Sequence, residues 1–229
     1  MKVIIIGLGN FGSSLAKKLT ASGNEVIGVD IKMAKIEALK EKVTHTVCLD
    51  STDEQAVGTL PLVDADIVLI CIGENEGANV MATALMKKLG VKRLISRAVT
   101  PLHQTVLEAM GVDEIIHPEE ETADKWTKKL NFKSVIESFD LTGDYSIVEV
   151  NAPKWVVGKT ILDVGFRKNF NLVILTTIKK EKQTNFLGVS TEKIRVQGVA
   201  SSKTIIAEND ILVFYGHIKD IRRFIAHGN

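Results

Sequence analysis

Residues 2–30, KVIIIGLGNFGSSLAKKLTASGNEVIGVD, constrain this chain more than any other stretch. An apolar run from Val3 to Ile6 meets Gly7-Leu8-Gly9-Asn10-Phe11-Gly12, a helix-forming segment follows, and a second apolar run ends at Asp30. Strand, glycine turn, helix, strand and acid in that order predict a βαβ unit with a phosphate-binding turn. Gly7 permits the tight exit from the strand. Gly9 leaves room for a pyrophosphate against the backbone, and Gly12 lets helix and strand pack closely. The first N–H groups of the helix, and its positive dipole end, face the anion. Asp30 is placed to accept hydrogen bonds from ribose hydroxyls and would repel a 2′-phosphate, which disfavours NADP. The spacing does not separate a redox cofactor from a signalling nucleotide.

The unit then repeats. Short, continuously apolar, β-branched runs at 2–6, 25–30, 46–49, 67–72, 93–96 and 114–117 predict strands with both faces covered. Helical patterns at 11–22, 33–42, 53–60, 75–89, 103–110 and 119–130 alternate with them. This is the pattern of an α/β, Rossmann-like, doubly wound parallel sheet. The composition changes over 131–145, where no strong strand signal occurs. The expected organisation is therefore a nucleotide-binding domain over 1–130, a linker or crossover helix over 131–144, and a small α+β domain over 145–229. In the latter, the runs YSIVEV, NLVILTTIKK, TNFLGV and DILVFYG read as strands, and 161–170 and 218–227 as helices.

In a doubly wound sheet, ligands bind beyond the carboxyl ends of the strands. That rule selects Asp50, Ser51, Thr52 and Asp53 after the third strand, and Ile72, Gly73, Glu74 and Asn75 after the fourth. It selects Arg97 after the fifth and His117, Pro118 and Glu119 after the sixth. Ser51, Thr52 and Asp53 also suit a helix N-cap, and both readings stand. Arg97 suits a phosphate contact. Glu119-Glu120-Glu121 complements a helix dipole; if two clefts met across a pair of subunits, these glutamates would also suit a divalent cation beside the phosphates.

Composition adds exclusions. A net charge of +1 gives no electrostatic argument for nucleic acid or an anionic membrane. No apolar run approaches the roughly 20 residues of a membrane helix, so a cytosolic location is expected. Cys48 and Cys71 sit in or at the end of apolar strand patterns, predicting two buried thiols in a reducing compartment. The five histidines lack metal-ligand spacing, and no Ser/His/Asp set or Walker lysine loop is present.

GLGNFG, VD after it, LDSTDE, ICIGEN, SRA and GVDEIIHPE, in this order, resemble the RCK family, the domains that regulate potassium conductance. The second half resembles that family's small C-terminal domain, down to GHIKDIRRF. The resemblance is closest to the cytosolic regulatory subunits of Ktr and Trk potassium uptake systems. It implies a homo-oligomer, built from pairs and typically an octameric ring, under a membrane-embedded potassium-conducting subunit at the inner face of the membrane. It implies ATP/ADP or NAD/NADH as ligand, at Gly7, Gly9, Asn10, Phe11, Gly12, Asp30, Lys32, Ser51, Thr52, Ile72, Gly73 and Arg97. Asp50, Glu74 and Asn75 flank those positions. In Ktr-type subunits an arginine usually fills the Asn10 slot and meets the ATP γ-phosphate; here it is asparagine. Glu119 matches a glutamate that binds a cation (Mg or Ca) between paired subunits. Some relatives bind cyclic di-AMP between paired C-terminal domains, for which Ile161, Val164, Arg167 and Phe170 are the candidates. The implied function is non-enzymatic gating by nucleotide. An NAD-dependent oxidoreductase with a minimal second domain is the alternative; a Rossmann-type transcription regulator lacks the helix-turn-helix or basic stripe it would need.

Overall fold

The computed structural model describes residues 1–131, 135–141, 143–184 and 190–227. The chain divides into two compact units, Met1–Glu121 and Thr122–Asn229.

In the first unit, β1 (Lys2–Ile6), β2 (Glu25–Asp30), β3 (His45–Cys48), β4 (Ile67–Ile70), β5 (Leu94–Arg97) and β6 (Glu114–Ile116) form one sheet. The order is β3-β2-β1-β4-β5-β6, and every pair is parallel. The intervening helices are α1 (Asn10–Ala21), α2 (Met33–Leu39), α3 (Glu54–Val57), α4 (Glu76–Lys88) and α5 (Pro101–Ala109); α6 (Pro118–Asn131) follows β6, its first turn in this unit and the rest in the second. Strand side chains alternate between faces, so β1 serves two cores. Ile4 and Ile6 join Val68, Ile70, Ala82 and Met86 on the α4 side. Val3 and Ile5 join Leu8, Ala16, Ile36 and Leu39 on the α1–α2 side. Each of these β1 side chains is at most 1% exposed. Burying one is worth about 1.5–3 kcal/mol, which is why the run carries no polar residue. Strand order reverses between β1 and β4, and a crevice opens there beyond the carboxyl ends.

The second unit carries an antiparallel sheet in the order β10-β9-β11-β8-β7. Its strands are β7 (Val135–Asp140), β8 (Tyr145–Asn151), β9 (Val173–Thr184), β10 (Ser190–Val196) and β11 (Ile211–His217). Two short helices, α7 (Ile161–Val164) and α8 (Phe166–Phe170), precede β9, and α9 (Ile218–Ala226) follows β11. Phe166, Phe170, Phe214 and Phe224 fill the core of this unit with Val164, Leu172 and Leu212.

Several expectations need correction. The stretch expected as a linker or crossover helix, 131–144, contains β7, which pairs antiparallel with β8. Its burial pattern is irregular because the register shifts between Val135 and Glu137, and that bulge hid the period of two. The single helix expected over 161–170 is two, separated by Gly165 in the left-handed region (φ +63). Val164 and Phe170, offered as ligand contacts, are core residues, while Arg167 is exposed. The TNFLGV strand falls largely on 185–189, outside the described residues. Cys71 is buried but Cys48 is exposed, because β3 is the outermost strand of its sheet.

Candidate functional site

A cleft of about 700 Å³ lies at the β1/β4 reversal. Its floor is the glycine turn. Gly7 adopts φ +97, and a Cβ there would stand 2.8 Å from the Ile72 backbone nitrogen, so only glycine lets the turn pass the end of β4. Gly12 does not line the cleft; a Cβ on it would overlap the Gly7 carbonyl, which makes it the contact point of α1 with the turn. Gly9 is the N-cap of α1, offers no side-chain cap and has open space where a Cβ would be. No acidic residue lies in the first turn of α1. The N-terminus of α1 and its dipole therefore face the cleft with no acidic side chain in the first turn and no side-chain cap on the leading N–H groups. Asn10 and Phe11 line the cleft beside them.

Asp30 closes one side. Its carboxylate accepts from the Leu8 N–H (2.8 Å), the Lys32 N–H (2.9 Å) and the Lys35 ammonium (3.1 Å). Burial pushes its pKa up, but these donors outweigh burial and hold the carboxyl below its ordinary 3.8. Asp30 is thus a brace for the turn as well as a carboxylate lining the cleft. Lys32 and Glu74, 60% and 80% exposed, pair at 3.5 Å at the cleft mouth.

The ends of β3, β4 and β5 supply the rest. Asp50 accepts from the Thr52 N–H (2.9 Å) and hydroxyl (2.7 Å) in a local turn, which holds its pKa down. Asp53, not Ser51, caps α3, accepting from the Gln55 and Ala56 N–H groups. Ser51 is buried and lines the cleft. Asn75 caps α4 through the Ala78 N–H at 3.0 Å. Arg97 lies across Gly73 so closely that a Cβ there would overlap its guanidinium. Its side chain is 16% exposed, its Nε has no partner, and its Nη2 donates to Glu119. Arg97 and Glu119 both line the cleft. Cys71 lines it too, but burial pushes its thiol up to about 12, so it is unreactive. Among the described residues, no group of three or more His, Cys, Asp or Glu side chains is gathered to hold a metal ion.

Two residues escaped the sequence reading. Lys35 lies within the helix expected over 33–42 and pairs with Asp30 at 3.1 Å. Asn79 is fully buried on α4 among Ala82, Thr83 and Met86. A polar residue at core spacing on an apolar helix face was the available signal. His103 is buried against Asn79 at 3.1 Å, and burial lowers its pKa.

Residues 3–118 match the family model of the TrkA-N domain. The chain is 33% identical to the Ktr system potassium uptake protein C of Bacillus subtilis over 220 residues, covering 96% of this chain and 94% of that protein. It is 34% identical to the Ktr system potassium uptake protein A of the same organism over 224 residues, covering 98% and 95%. Among solved structures, the GsuK channel bound to NAD superposes over 98% of this chain and 39% of that one, with a TM-score of 0.63 at 18% identity. Among the described residues, no helix is long and apolar enough to cross a membrane.

Proposed function

The chain belongs to the TrkA-N domain family and is related to potassium uptake proteins, and from that premise we propose that it is a nucleotide-sensing regulatory subunit of a potassium transporter. The observation that carries this reading is the cleft: an uncapped helix N-terminus, an open Gly9 and the Arg97 cation face one space. That combination suits phosphates attached to an adenosine whose ribose meets Asp30. When bound, the nucleotide supplies negative charge to α1 and Arg97; the protein binds, orients and reads it. ATP, ADP, NAD and NADH share adenosine and phosphates, and all four fit this account.

The mechanism is linkage. Copies assemble as a ring at the inner face of the membrane beneath a potassium-conducting subunit, and nucleotide shifts the ring by its difference in affinity for two ring shapes. A swing from mostly closed to mostly open takes about 5.5 kcal/mol of differential binding. Eight clefts supply that with about 0.7 kcal/mol each, so small preferences suffice. Glu119 of two paired copies would add a divalent cation site.

Thermal-shift and calorimetric comparison of ATP, ADP, NAD, NADH and cyclic di-AMP tests the proposal. A ligand at one hundred times its Kd stabilises the native state by about 2.7 kcal/mol. One or more adenine nucleotides should raise the melting point; no response to any of them overturns the reading. Consumption of NADH with a panel of ketones would instead support an oxidoreductase.

A further inference from the structure

The ladder between β4 and β5 ends with Ile70 opposite Ser96. Beyond that point Gly73 and Arg97 must still lie side by side, because the guanidinium rests on the Gly73 backbone. The Asn79 amide spans the gap. Its Nδ2 donates to the Ile72 carbonyl at 2.9 Å and to the Arg97 carbonyl at 3.1 Å. Both carbonyls only accept, which fixes the amide with its nitrogen toward the strands. Its Oδ1 then accepts from the Ser96 hydroxyl (3.1 Å), the Thr83 hydroxyl (3.3 Å) and His103 Nε2 (3.1 Å). The last contact places the imidazole proton on Nε2 and leaves Nδ1 bare, and Nδ1 is indeed buried without a donor partner.

We propose that Asn79 is a positioning residue for phosphate recognition: its amide continues the sheet where the ladder stops and holds Arg97 against Gly73 at the cleft wall. Asn79 does not itself line the cleft. The inference rests on the nucleotide reading of that cleft. Its effect is confined to the phosphate side, because the ribose side is braced by Asp30 on β2. The three hydroxyl and imidazole donors serve a different end. They orient the amide, while the two strand carbonyls receive its output.

Competitive binding of ADP and of adenosine to the full chain separates this role from a merely structural one. In Asn79→Leu, which keeps the branched heavy-atom shape but donates nothing, the preference for ADP over adenosine should fall about tenfold while adenosine affinity holds within about twofold. Thr83→Val perturbs the same buried cluster but leaves both carbonyl bonds, so it should lower the melting point and keep the preference. A folded Asn79→Leu protein with the native preference, or one losing both ligands equally, overturns the proposal. Where Asn79→Leu does not fold, Asn79→Ser decides. Its hydroxyl falls one bond short of the amide nitrogen and does not reach either carbonyl at hydrogen-bond length, so the preference should fall by at least about threefold; the native preference in that variant overturns the proposal. If the native chain binds neither ligand, the nucleotide reading fails and this inference fails with it.

Discussion

Gly9 has an extended backbone (φ −70, ψ −167) that any residue adopts, and no heavy atom lies within 4 Å of its absent Cβ. Gly9→Val should therefore leave the melting point near native and abolish nucleotide binding in calorimetry, because its methyls fill the space a phosphate needs. Asp30 behaves differently, since it serves both fold and cleft. Asp30→Asn should cost about 1.5–3 kcal/mol at pH 7, the worth of hydrogen bonds to a charged group. Its pKa is depressed in the native state, so its contribution is present above 3.8 and is lost as pH falls through the lower native value. Urea titrations of both proteins should show a gap at neutral pH that closes in acid. A gap independent of pH would mean the charge is not what braces the turn. The acid at the end of the second strand was legible from spacing alone; its structural work was not, because the Leu8 and Lys32 N–H groups reach it only once the turn has formed.

Among the elements, the four inner parallel strands were readable because they are apolar and buried along most of their length, and the short outer strands β3 and β6 because strands and helices alternate regularly around them. α5 starts at Pro101 with Thr100 as its cap, two residues earlier than periodicity alone places it, and proline at the first helical position was the signal. β7 and β10 were not legible. Val135-Ile136-Glu137-Ser138-Phe139-Asp140 carries a bulge, and β10 reads Ser-Thr-Glu-Lys-Ile-Arg-Val at the outer position of its sheet. A strand paired on one edge faces water along much of its length, and water imposes no apolar pattern. The α7–α8 break has a local cause. Gly165→Ala would place a Cβ 2.8 Å from Asn169 Nδ2, in a backbone region that costs L-residues about 1–2 kcal/mol. Chemical denaturation should show a loss of that size or slightly more, since the Asn169 bond to the Val164 carbonyl goes with it. A neutral result would show that the two short helices can rejoin.

For the molecule as a whole, light scattering of the purified chain should give a mass near eight times that of one copy, and a monomer would remove the multiplication of small affinity differences that gating by a ring needs. The glycine turn bears on how such a signal starts. Leu8 is buried beneath it and its methyls stand 3.2–3.3 Å from where a Cβ on Gly28 would be; its N–H is held by Asp30, and the Gly7 N–H is held by Val29. A turn fastened to β2 in this way meets its ordering cost during folding and not at ligand arrival. On the nucleotide reading it is a preorganised stage for the phosphates, held in place by β2 before any ligand arrives. On that reading the report would come from ion pairs around the rim: the exposed Lys32–Glu74 pair, and Glu119, whose hold on Arg97 an incoming phosphate would contest.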